Sequence, residues 1–290
     1  MKKVLYLECK TGAAGDMLMG ALYSLLTEEQ KTLFLEKINA ISDEVHVIPQ
    51  ETCKQGIGGI HMKVEINGEE EGVEHTHEHH DHGEMHEHTH EHSHCAEHTH
   101  EHIHDHHEDG HMHAHHHGHH AHTSVASILE KISALDMSDT VKKHAEGIYR
   151  AIAAAESTVH RTDMEQIHFH EVGSVDALID VVGSSLAIEM LGVDEIQASP
   201  VCVGNGTVRC AHGVLPVPAP ATAEIIKGMP VYCSSFDGEL LTPTGAAILK
   251  YFVETFTRQM NMEIEEIGYG FGTKEFEQLS CVRAFLGYQK

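Results

Sequence analysis

A polar stretch running from Gly68 to His122 divides this chain, and it constrains the fold more than any other feature. It carries almost no aliphatic side chains. Such a segment cannot bury enough apolar surface to offset the entropy lost on ordering, so a disordered insertion is expected there. The fold must then come from two flanking segments, residues 1–67 and 123–290, packing together across it. Without the insertion about 235 residues remain, enough for one or two domains.

Those residues alternate between two periodicities, which predicts a mixed α/β (α+β) protein. The N-terminal segment reads as a strand (Lys3 to Glu8), a Gly-rich turn, helices from Asp16 to Leu26 and Glu28 to Ile41, and a hairpin of Glu44 to Thr52 with His61 to Ile66. Beyond the insertion, Val125, Ile128, Leu129 and Ile132 give one apolar face to a helix over Ser124 to Ala134. A second helix is expected over Ser138 to His160, with Ser138 or Asp139 as cap. A third runs from Ser174 to Leu191 and stops at Gly192. Strands follow at Glu195 to Val203 and Gly206 to Cys210, which could pair through Gly204 and Asn205. Pro218 and Pro220 open a helix to Lys227. A short strand (Val231 to Cys233), a helix (Thr242 to Phe256) and two closing strands (Asn261 to Gly268, Ser280 to Tyr288) complete the chain.

The insertion announces metal chemistry. Between His75 and His122 there are 24 histidines in 48 residues, with 10 acidic residues among them, so nearly every position is a ligand or its neighbour. The repeats His75, His77, His79; His88, His90, His92; and His98, His100, His102 set imidazoles two residues apart, and His115, His116 and His117 are consecutive. Neutral imidazole is a borderline ligand suited to nickel, zinc, copper and cobalt, and flexible spacing lets several converge on one ion. An acidic linker that meets metal incidentally is the alternative. Collection or delivery suits such a tract better than catalysis, which needs fixed geometry.

The formal charge of −26 counts histidine as neutral. Partial imidazole protonation lowers it, yet the chain stays acidic, which argues against nucleic acid and anionic membranes as partners. No apolar run reaches the roughly 20 residues a membrane helix needs. The run Val4 to Leu7 ends at Glu8, so a strand is expected rather than a secretory signal. Seven scattered cysteines with no CxxC pair point to a reducing, cytoplasmic setting.

Four groups outside the tract could carry chemistry. In Ile167–Gly173 an extended backbone would put His168 and His170 on one face, where they could share an ion, with Glu171 beside them. Asp176 and Asp180 follow at i, i+4 on the next helix. Two histidines with carboxylates make a metal or acid–base site; the alternative is a surface strand and an N-terminal helix charge. Cys202, Cys210 and His212 could form a soft-ligand group, or the thiols could be small buried hydrophobes. The loop containing Gly12, Gly15 and Asp16 could cradle a phosphate, though it has no Walker Lys-Ser/Thr and Asp16 could be a plain helix cap. Thr242, Thr244 and Gly245 offer a second anion pocket at a helix N-terminus, or a capping box with no ligand.

Taken in order, TGAAGDM (residues 11–17), the histidine-rich insertion, HFHEVGSVDALIDVVG (168–183), GVLPVPAPATAEIIKG (213–228), GELLTPTGAAIL (238–249) and GYGFGTKEF (268–276) resemble the LarC-type nickel insertion proteins of lactate racemase cofactor synthesis. The resemblance covers nearly the whole chain. It implies a cyclometallase, a lyase-type nickel chelatase. Such an enzyme places Ni²⁺ in a pyridinium bisthiocarboxylic acid mononucleotide through one carbon–nickel and two sulfur–nickel bonds. CTP is used with Mg²⁺ or Mn²⁺. Complete family members continue past the GYGFGT region, so this chain is expected to be the nickel-binding part, with CTP handled by a separate C-terminal part. A lactate racemase apoenzyme is a further possible partner. On that reading His168, His170, Glu171 and Asp176 carry the chemistry, and the Gly12–Asp16 and Thr242–Gly245 loops hold the substrate. A non-catalytic nickel store or delivery chaperone is the rival.

Overall fold

The computed structural model describes residues 1–67, 69–70, 123–169 and 171–290; the histidine tract lies outside the described residues. Residues on both sides of it build one compact unit. Its centre is a mixed sheet of seven strands: β1 (Lys2–Glu8), β2 (Val45–Lys54), β3 (Ile57–Ile66), β4 (Glu195–Ala198), β5 (Thr255–Phe256), β6 (Glu263–Phe271) and β7 (Cys281–Gln289). Their order across the sheet is β5-β4-β1-β7-β6-β3-β2, with Glu69–Glu70 pairing off the path onto β3. Strand β1 pairs antiparallel with β7 and parallel with β4, while β6 joins the β2–β3 hairpin through a parallel contact at Ile60 and His61. The N-terminal segment is therefore stitched to the C-terminal one on both sides of β7.

Among the described residues, seven α-helices accompany the sheet: α1 (Gly15–Ser24), α2 (Glu28–Asn39), α3 (Val125–Ala134), α4 (Asp139–His160), α5 (Val175–Leu191), α6 (Pro220–Ile225) and α7 (Pro243–Phe252). Helix α1 lies on β3 and β6, α5 covers α1, and α4 packs on α5. Being sandwiched, α5 is buried almost all round, and Asp180 is the buried carboxylate on it. Helix α1 approaches β6 so closely that a Cβ at Gly270 would overlap the Met17 carbonyl. This approach brings the start of α1 beside the loop that leaves β6. Among the described residues, no helix is long and apolar enough to cross a membrane.

Helices α3, α4 and α5 fall where the periodicity predicts, with Ser124, Ser138 and Ser174 accepting capping bonds from Ser127, Val141 and Ala177 N–H. Four readings need correction. Thr207–Cys210 pairs with Gly213–Pro216, and Val201–Cys202 pairs in parallel with Val231–Tyr232, so Cys202 and Cys210 are not cross-strand neighbours. Pro200 breaks the expected strand at Ala198. The last helix stops at Phe252, and Thr255–Phe256 becomes the sheet edge against β4. Finally, Asp16 does not cap α1. Ala14 occupies that position without a side-chain cap, and Asp16 stands one place inside the helix.

A candidate active-site cavity at converging helix starts

Four segments distant in sequence meet around a cavity of about 330 Å³, within the range of small-molecule sites. Its wall takes Ala14 to Met17 from α1, Ser174, Asp176 and Asp180 from α5, Thr242 and Thr244 from α7, and Gly272 to Lys274 from the loop after β6. The loops before α1 and α7 are laced together: Ala13 N–H donates to Leu240 O at 2.9 Å and Thr242 N–H to Ala13 O at 3.2 Å. Gly12, at φ +97°, permits this, because any Cβ there would overlap Leu240; Gly245 packs against the Ala13 carbonyl in the same way. Gly12 and Gly245 thus hold the loops together, while Gly15, Asp16, Thr242 and Thr244 face the cavity.

The N-terminal ends of α1, α5 and α7 all reach this wall, and each presents partial positive charge. They differ in what already meets that charge. Gly15 packs directly against the Asp180 carboxylate, and Asp16 follows it, so the start of α1 is crowded by negative charge. The start of α7 presents hydroxyls: Thr242 Oγ1 accepts from Gly245 N–H at 3.2 Å, and Thr244 is a buried polar side chain. Lys274 adds a cation to the wall, and Glu239 another carboxylate.

Asp16 is a held group. Its Oδ1 accepts from Met17 N–H at 2.7 Å and its Oδ2 from Thr273 N–H at 3.2 Å, which ties α1 to the loop after β6. Burial raises its carboxyl above the usual carboxylate range, and the His61 ring, the two amide donors and Lys54 only partly offset that. His61 is itself fixed, its Nδ1 donating to the Phe271 carbonyl at 3.1 Å. Behind α5, the buried Tyr149 hydroxyl is pushed far up by burial and then by the Asp180 and Asp176 charges.

The sequence candidates divide. Asp176 and Asp180 share one face of α5 and both line the cavity. His168 does not; it is exposed on the two-residue strand His168–Phe169, which pairs with Thr123–Ser124, while Phe169 points inward. His170 lies outside the described residues, and Glu171 enters only as the start of the turn Glu171–Gly173. Val172 from the same motif does reach the wall. Cys202 is buried, Cys210 is half-buried on a separate hairpin, and His212 faces neither but His160. Among the described residues, no three His, Cys, Asp or Glu side chains form a ready-made metal centre. The tract histidines from His75 to His117 lie outside the described residues. Sequence reasoning missed Thr273 and Lys274 as wall residues, because only the packing of β6 on α1 carries the loop there.

The fold and cavity define a mixed α/β protein with a cavity of small-molecule size whose wall includes carboxylates, threonines and a lysine. The chain belongs to the nickel insertion protein family, whose model matches residues 5–290. It is 36% identical over 293 residues to the pyridinium-3,5-bisthiocarboxylic acid mononucleotide nickel insertion protein of Clostridium kluyveri, covering 99% of this chain and 63% of that protein. The protein of the same name from Geobacillus kaustophilus is 34% identical, over 98% of this chain and 60% of its own length. The one from Staphylococcus saprophyticus is 44% identical over 163 residues, 56% of this chain and 42% of its own length. The chain thus spans about three-fifths of the length of the first two. No solved structure matches it.

Proposed function

We propose that this chain takes part in inserting Ni²⁺ into a pyridinium bisthiocarboxylic acid mononucleotide, the small molecule that its relatives are named for, and that the cavity holds that molecule. The observation that carries this reading is the cavity's split electrostatics. The proposed substrate has a phosphate at one end, and at the other a pyridinium ring whose two thiocarboxylates take up Ni²⁺. The carboxylates of Asp16, Asp176, Asp180 and Glu239 suit the positive charge that the pyridinium and the incoming Ni²⁺ bring to the ring end. The start of α7, with Thr242, Thr244 and Lys274, suits the phosphate better than the start of α1, where Asp180 and Asp16 would repel it.

Nickel enters as a substrate. Forming the carbon–nickel bond breaks a ring C–H bond, and the electron pair of that bond goes to the metal while the proton leaves to a base. Two Ni–S bonds to the thiocarboxylates complete the product. Asp176, on the wall, is one acceptor for that proton, and Asp16 is another whose raised affinity for protons suits the task. His168, His170 and Glu171 deliver the metal to the ring, and the histidine tract gathers it. On this reading CTP with Mg²⁺ or Mn²⁺ serves the insertion step through a C-terminal part supplied alongside this chain, in the cytoplasm and in service of lactate racemase maturation.

The test is direct. The purified chain is incubated with Ni²⁺ and the precursor, with and without CTP and that further part, and the product is read by mass spectrometry. The metallated mass is expected, and it should be lost in an Asp16→Asn, Asp176→Asn double variant. A chain that holds nickel yet never metallates the precursor under any of these conditions would instead be a nickel store or delivery chaperone.

A further inference from the structure

We propose that His160, His212 and Glu156 form a binding site for one divalent transition-metal ion at the C-terminal end of α4. None of the three belongs to the histidine-rich stretch, and none lines the cavity.

The three come together through two firmly held elements. Glu156 and His160 lie one turn apart on the last stretch of α4, with Glu156 Oε2 3.3 Å from His160 Nε2. The helix end does not fray freely. Arg161 turns it off at φ +53°, Thr162 N–H donates to Ser157 O at 3.2 Å, and Ser157 Oγ donates to Thr162 O at 2.6 Å. His212 comes from the hairpin of Thr207–Cys210 and Gly213–Pro216, at its two-residue turn Ala211–His212. Gly213, at φ +97°, supplies the turn, and Val217 N–H donating to Gly206 O at 3.0 Å closes the base. The result puts the His160 and His212 rings 5.0 Å apart between centroids, at 47° to each other.

Burial does not explain this meeting, because both histidines are exposed. Nor do the rings stack, since they are strongly tilted. Coordination geometry does fit. With metal–nitrogen bonds of about 2.0–2.1 Å, two imidazoles on one ion at octahedral to tetrahedral angles have centroids about 4.6–5.3 Å apart. Two ligand atoms sharing such an ion lie about 3.0–3.4 Å apart, which brackets the Glu156–His160 separation. The three donors do not yet converge on one point. On this proposal, rotation of Glu156 or His212 about its side-chain bonds brings them together on the ion, with water filling the open positions. Two imidazoles and a carboxylate suit nickel, zinc or cobalt, and leave room for an ion to be passed on.

The ion site stands on this geometry alone; its role as a resting place for nickel before insertion rests on the function proposed above. The full chain, carrying ¹³C-labelled alanine methyl groups, is titrated with Ni²⁺ alone to saturation. The Ala211 methyl, next to His212, should broaden beyond detection, while Ala13 in the core stays sharp. In a His160→Gln, His212→Gln variant with the histidine stretch intact, the Ala211 signal should survive saturating Ni²⁺, and the remaining alanine spectrum reports that the fold is kept. Glu156→Gln, a milder change, should require about tenfold more Ni²⁺ for the same broadening. An Ala211 methyl untouched by Ni²⁺ in the unaltered chain would overturn the proposal. So would equal broadening in the double-glutamine variant, which would assign the effect to ions held by the stretch, or broadening in Glu156→Gln at the same Ni²⁺ level as in the unaltered chain, which would remove the carboxylate. Failure to metallate the precursor leaves all three readouts unchanged, so the two proposals fail separately.

Discussion

The histidine stretch and the cavity carry opposite kinds of information. The stretch declares its chemistry by composition, since half of residues 75–122 are imidazoles, but composition assigns no position to any of them. The cavity declares nothing in any one segment. Its glycine loop, its α5 aspartates and its α7 threonines each have an ordinary structural explanation. Only the sheet order, which brings β6 beside α1 and laces the loops before α1 and α7 together, turns them into a site. Abundant ligands suit collection, and a few groups on rigid helix starts suit bond making.

That contrast can be broken first at the motif proposed to deliver the metal. Replacing His168 and His170 together with alanine should lower metallation by more than 100-fold while thermal unfolding stays unchanged; undiminished product by mass spectrometry would remove both from the mechanism. A packing change comes next. Gly15→Ala forces a methyl group against Asp180, and overpacking of this kind costs about 1–3 kcal/mol, to be read as a lowered denaturation midpoint together with loss of mononucleotide binding. Lys274→Ala should weaken mononucleotide binding by about tenfold, or about 1.4 kcal/mol, with Ni²⁺ binding intact by calorimetry.

Acidity separates the two regions more finely. With limiting nickel, the intact chain should lose metallation as pH falls below about 6.5, where imidazoles take up protons and release metal. With saturating nickel and residues 75–122 deleted, what remains is the proton acceptor. A carboxylate accepts a proton only when ionised, so activity should rise with pH through its titration. Burial places that step above the ordinary carboxylate range for Asp16. A rate profile flat from pH 4 to 8 would exclude Asp16 as the base. The smallest effect is expected for Cys210→Ser, which should change neither metal binding nor product, since its partner across the ladder is Gly213 and not a second thiol.

Much of the fold was legible in advance where local rules decide it. The Ser138 and Ser174 caps, the apolar stripe of α3 and the halt of α5 at Gly192 are all set by near neighbours in sequence. The pairing of Cys210 was misread because two adjacent short strands can fold onto each other or onto later ones, and periodicity does not choose between them. Of the site, the Asp176–Asp180 spacing was readable because helical geometry fixes it. Lys274 was not, because it reaches the wall through the contact of Gly270 with Met17, more than 250 residues apart in the chain.

One deletion tests the division of labour most directly. The chain lacking residues 75–122 is assayed for metallation of the pyridinium mononucleotide across a range of Ni²⁺, with CTP and the further part supplied. Product formation should recover fully at saturating Ni²⁺, with only the nickel concentration for half-maximal rate increased. If no amount of nickel restores product while the shortened chain remains folded and still binds the mononucleotide, the bond-making site includes the histidine stretch, and the cavity alone is not the seat of the chemistry.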